Sequence, residues 1–103
     1  MALSNLPHSP ISVRKRKGVV NERRSRTLLE SQGYRVTRAG GSFGTWDLVA
    51  IRGDGILLVQ VKTARWPVSQ EMSAMMEFPA PENCRKLIHR WQPHARTPEV
   101  REL

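Results

Sequence analysis

A single small α/β domain is what the 103-residue sequence predicts, and three observations predict it. Residues 19–32 are rich in helix formers and run into Gly33, a residue suited to stop a helix. Two strand-like runs, residues 46–51 and 56–62, flank Arg52-Gly53-Asp54-Gly55, which has the composition of a tight hairpin turn. Met72, Met75 and Met76 recur at helical spacing after Pro67.

The elements follow in order. Residues 1–17 mix Ser, Pro and Asn, end in Arg14-Lys15-Arg16-Lys17 and show no apolar period, so they are expected to form a mobile basic arm ahead of a domain at 18–103. The helix over 19–32 is expected to bury Val20, Thr27 and Leu28. Tyr34-Arg35-Val36-Thr37-Arg38 alternates as a strand, and residues 39–44, with three glycines, form a loop. After the hairpin, Ser69 can cap a short helix reaching Phe78. Residues 84–91 and 98–103 read as strands, although 84–91 also admits a helix.

Composition excludes several classes. A chain of 103 residues cannot hold two separate cores. The apolar run 56–61, interrupted by Gln60, is far short of the roughly 20 residues that span a bilayer, so no membrane association is expected. The amino terminus lacks the pattern of a signal peptide, and the single Cys84 fits a reducing compartment, so an intracellular, cytoplasmic protein is expected. With 17 Lys and Arg against 9 Asp and Glu, the net charge of +8 makes a polyanion, nucleic acid first, the expected partner.

The hairpin supplies candidate chemistry. Whether its loop holds two residues or four, paired positions sum to 107, which sets Asp47 opposite Gln60. Alternation then puts Asp47, Gln60 and Lys62 on one face, with Val49, Ile51, Ile56 and Leu58 nearer the turn. Leu48, Ala50, Leu57, Val59 and Val61 line the other face, so both faces are covered and the polar cluster is desolvated. A simple Asp47–Lys62 salt bridge satisfies this pattern. So does a divalent-metal site, in which a carboxylate and an amide oxygen hold a hard cation and Lys62 assists an attacking water or neutralises charge on a phosphate.

Residues 18–62 resemble the PD-(D/E)XK nuclease superfamily, and within it the archaeal-type Holliday junction resolvases. The resemblance rests on Lys17-Gly18, Asn21-Glu22-Arg23, Leu28-Leu29-Glu30, Gly33-Tyr34, the run from Val36 through Ser42, Asp47-Leu48-Val49-Ala50 and Val59-Gln60-Val61-Lys62, in that order. It implies a restriction-endonuclease-like fold, a mixed central sheet flanked by helices in α-β-β-β-α-β order. It also implies that Glu22, Asp47 and Gln60 hold Mg²⁺ or Mn²⁺, that Lys62 is the catalytic lysine and that Ser42 is an active-site loop serine. Arg23 and Arg38 match residues on the DNA backbone, and Arg14, Lys15, Arg16 and Lys17 would add phosphate contacts. Gln60 departs from the family, which usually has a carboxylate there; an amide oxygen still accepts a cation but removes one negative charge.

Other features have simpler readings. Cys84, His89 and His94 lack a fourth ligand and match no common zinc spacing. Trp46, Trp66 and Trp91 suit core or rim packing, with Trp66 the best candidate to stack on a base. The methionine stripe suits core, any exposed remainder a dimer face. The expected protein is therefore a metal-dependent, structure-selective DNA endonuclease that resolves four-way junctions as a homodimer. A nicking or end-processing nuclease, or a catalytically weakened DNA-binding module, are the alternatives.

Overall fold

The computed structural model describes the backbone of residues 10–41 and 43–103, and side chains from residue 17 onward within those spans. The chain folds as α1 (Pro10–Ser31), β1 (Arg35–Arg38), β2 (Leu48–Arg52), β3 (Gly55–Thr63), α2 (Ser69–Glu77), β4 (Cys84–Trp91) and β5 (Glu99–Glu102). Helix α1 starts nine residues ahead of its expected start at 19, so the backbone of Arg14-Lys15-Arg16-Lys17 is helical rather than an irregular arm. Arg and Lys are good helix formers, and absence of an apolar period signals absence of packing, not of helix. Residues 1–9 of that expected arm lie outside the described residues.

Helix α1 ends as Gly33 predicts. Gly33 adopts φ 94°, its N–H reaches the Glu30 carbonyl at 3.0 Å, and the Tyr34 N–H reaches Leu29 at 3.1 Å. This Schellman pattern brings Tyr34 and Leu29 into one core cluster. The buried stripe of α1 differs from expectation. Asn21, Ser25 and Leu29, spaced by four, are buried, whereas Val20 and Thr27 are exposed and Leu28 is only half-buried. The polar members are admitted because each has partners: Asn21 Nδ2 donates to Thr63 Oγ1 at 2.8 Å, and Ser25 Oγ accepts from Trp91 Nε1 at 2.8 Å.

The strands form one sheet in the order β1-β2-β3-β4-β5. Only β3 and β4 pair in parallel, with α2 in the crossover between them, and the other neighbours are antiparallel. Residues 84–91 are thus strand. The hairpin register is the expected one, from Leu48↔Val59 to Arg52↔Gly55, which leaves Gly53 and Asp54 as the turn. Arg52 ties that turn to α1: it pairs with Asp54 at 2.5 and 2.7 Å, donates to the Gln32 carbonyl at 2.8 Å and stacks on Tyr34.

Both sheet faces are covered, as the alternation requires. Leu48, Ala50, Leu57, Val59 and Leu87 pack with Leu29 of α1, Tyr34 and Val36. On the opposite face Leu58 and Ile88 pack with Met75 of α2, Ala39 and Trp46. Of the methionine stripe, Met75 is fully buried, Met72 packs against this cluster and Met76 is exposed.

Candidate active site

The site forms just beyond the β2–β3 pairing, which stops at Leu48↔Val59 while β3 continues alongside β4. Trp46, fully buried and edge-on to Phe78 with centroids 6.0 Å apart, anchors the chain entering β2. Asp47 follows, its N–H on the Val59 carbonyl and its carbonyl receiving Ala39 N–H, both at 2.9 Å. Its side chain turns back across the sheet end, where Oδ2 accepts the Val61 N–H at 2.7 Å. Burial pushes the Asp47 carboxyl above the usual carboxylate range, against the pull of the Val61 hydrogen bond. Of its charged neighbours, Glu22 and Glu71 push it further up and Lys62 pulls it down.

Gln60 is buried, and its orientation is determined by chemistry. Nε2 donates to Thr45 Oγ1 at 2.7 Å and to the Thr45 carbonyl at 3.3 Å; a carbonyl only accepts, so the amide nitrogen must face Thr45. Oε1 is left buried with no partner among the described residues. Two residues on, Lys62 Nζ lies 3.4 Å from Glu71 Oε1, and the same oxygen accepts the Val68 N–H at 3.2 Å. Glu71 therefore does the capping expected of Ser69. Val68 occupies the N-cap position, its side chain has no acceptor, and the acid three residues on reaches back to its N–H.

Glu22, on α1, places Oε1 3.4 Å from Arg38 Nε, and both line a cleft of about 130 Å³ with Val19, Arg23, Arg26 and Leu48. Lys17 of α1 shares a second cleft with Lys62 and Arg65 at the end of β3. The structure thus gathers Asp47, Gln60 and Lys62 at one sheet end with Glu22 close enough to act on Asp47. Ser42 and the side chains of Arg14, Lys15 and Arg16 lie outside the described residues. Trp66 packs beside the Met75 cluster with the guanidiniums of Arg90 and Arg101 over its ring at 4.6 and 4.2 Å, so a base would have to displace one of them. Trp46 and Trp91 are core residues.

Sequence reading missed Glu71 and Thr45. Glu71 had a signal, an acid at the capping-box spacing from Val68, which the more familiar Ser69 obscured. Thr45 had none, since its contact with Gln60 arises only when the glycine loop folds over the strand end.

Among the described residues no three Asp, Glu, His or Cys side chains lie close enough together to hold a metal ion. The donor chemistry nonetheless suits a hard cation. Asp47 and Glu22 are carboxylates, and the buried Gln60 Oε1 has no donor among the described residues, an arrangement that a hard cation would relieve. His89 is spoken for elsewhere: its Nδ1 lies 3.0 Å from Ser25 Oγ, and burial lowers its pKa to about 4, leaving it neutral.

A mixed sheet of this order, with Asp47 just ahead of β2 and Lys62 near the end of β3, has the restriction-endonuclease-like fold. More closely, the family model for archaeal Holliday junction resolvase (Hjc) matches residues 13–72, from α1 into α2, and the chain belongs to that family. Its structure is similar to that of Hjc, a Holliday junction resolvase from Archaeoglobus fulgidus, an archaeal hyperthermophile, with a TM-score of 0.64 and 24% identity. That likeness covers 84% of this chain and 71% of the other. No curated protein matches the chain.

Proposed function

We propose that this protein is a divalent-metal-dependent endonuclease that resolves four-way DNA junctions as a homodimer. The observation that carries the reading is the meeting of the Asp47 carboxyl, the unpartnered Gln60 Oε1 and the Lys62 ammonium at one sheet end in a chain of the resolvase family. Glu22, Asp47 and Gln60 would hold Mg²⁺ or Mn²⁺. The bound ion would supply Lewis acidity toward a phosphate oxygen and a nucleophilic water at neutral pH. The protein's own residues divide the remaining work. Asp47, fixed by the Val61 N–H, offers a carboxylate in set orientation, and Lys62 neutralises charge growing on the scissile phosphate or helps deprotonate the water.

Binding follows from the surface. Lys17 and Arg65 flank Lys62, and Arg23 and Arg38 border the Glu22 cleft, so phosphates would be met on both sides of the site. Ser42 would join from the glycine loop, and Arg14, Lys15 and Arg16, in the first turns of α1, would extend the grip. Contacts of this kind read backbone geometry, so selectivity would be for junction shape. Two symmetric cuts need two sites, which a C2 dimer provides. Among the described residues no helix is long and apolar enough to cross a membrane.

Incubation of a labelled four-way junction, beside a linear duplex of the same sequence, with and without Mg²⁺ tests this. Metal-dependent cutting confined to the junction supports the reading. Equal cutting of the duplex makes the protein a nicking or end-processing nuclease, and binding without cutting makes it a DNA-binding module.

A further inference from the structure

The acid on α2 has a place in the site that neither the family resemblance nor the metal set assigns. We propose that Glu71 is a positioning residue of the reaction: it holds the Lys62 ammonium and restores to the site the negative charge that the amide at position 60 removes. The inference rests on the nuclease reading above.

Two observations carry it. One oxygen of Glu71, Oε1, takes both the Val68 N–H at 3.2 Å and Lys62 Nζ at 3.4 Å, so the start of α2 fixes the carboxylate and the carboxylate fixes the lysine. A lysine has four rotatable bonds and substantial rotamer entropy, and an unheld ammonium would be poorly aimed at a phosphate. Gln60 does not hold it, since its Oε1 has no partner among the described residues. Its Nε2 is committed to Thr45, and an amide offers an ammonium no countercharge. Among Glu22, Asp47 and Lys62 the charges sum to minus one, and Glu71 brings that sum to minus two, the value a carboxylate at position 60 would have given.

The bland alternative is a half-exposed ion pair that caps a helix and does nothing else. Glu71→Gln separates the two, because a glutamine oxygen still accepts the Val68 N–H. In the full chain, without DNA or metal, the rate at which acetic anhydride labels Lys62, read by mass spectrometry against Lys86, should rise about threefold in E71Q, the scale expected for loss of a partly exposed ion pair. Single-turnover cleavage of a junction in Mg²⁺ should fall by at least about tenfold while KM changes by less than about twofold and the melting temperature holds. Adding Gln60→Glu to E71Q should recover most of that loss, because the charge returns at a neighbouring position. Labelling and cleavage within about twofold of the parent would overturn the proposal, as would a Q60E/E71Q protein no faster than E71Q. If the parent chain cuts no junction in any metal, the nuclease reading fails by itself, and the labelling ratio still decides whether Glu71 holds Lys62.

Discussion

Asp47 carries a conflict that its function would explain. Its carboxyl is buried beside two other acids, so its pKa lies above the ordinary 3.8. A raised value in the folded state means that the proton-linked stability is fully present below 3.8 and is lost as pH rises through the folded value. At neutral pH the ionised side chain therefore costs stability. Asp47→Asn keeps an oxygen for the Val61 N–H and removes the charge, so it should raise the melting temperature at pH 7, with the gain vanishing in acid, while lowering cleavage by at least about 100-fold. Differential scanning calorimetry at two pH values checks the first half. His89 behaves oppositely. Its folded pKa of about 4 lies below the ordinary 6.5, so stability is complete above 6.5 and falls as pH drops toward 4, by about 3 kcal/mol in all. Urea melts between pH 7 and pH 4 should show that loss, and His89→Gln should flatten it.

Strands were legible where alternation and turn chemistry agreed. The hairpin needed only Arg52-Gly53-Asp54-Gly55 and the apolar runs around it, and its register was correct from Leu48↔Val59 to the turn because the side-chain period of a strand is two; Asp47 lies just beyond the ladder, its N–H on the Val59 carbonyl rather than opposite Gln60. Gly55 does more than turn the chain. A Cβ there would stand 2.5 Å from the Asn83 carbonyl oxygen, so Gly55→Ala should cost about 1–3 kcal/mol in chemical denaturation. Helix α1 was legible at its end and misread on its face. Hydrophobic periodicity selects apolar residues, but α1 buries Asn21 and Ser25, whose partners Thr63 and Trp91 lie more than 40 residues away in the chain. No local pattern encodes such contacts. Ser25→Ala would leave the buried Trp91 N–H without its acceptor and should destabilise the protein by about 1–3 kcal/mol. Glu71 escaped for a related reason: its capping role is local, while its contact with Lys62 depends on how α2 docks beside β3.

The chain as a whole combines a net charge of +8 with a site of three acids and one lysine. On the proposed reading, attraction to DNA falls to Lys17, Arg23, Arg38 and Arg65, which line the clefts beside the site, and control of a cation falls to the sheet end. Junction affinity should accordingly fall steeply with salt, with a log–log slope near −0.9 for each phosphate neutralised, and each Lys or Arg→Ala change in this set should reduce the slope by about 1 without altering the cut position. Family membership and fold point the same way as the site, yet Gln60 is where the chain departs from the usual acid. The most direct measurement is single-turnover cleavage of a four-way junction by the parent chain and by Asp47→Asn, with binding of both measured in parallel. The account predicts metal-dependent cutting by the parent and junction binding without cutting by the variant. Equal cutting by the two proteins would contradict it.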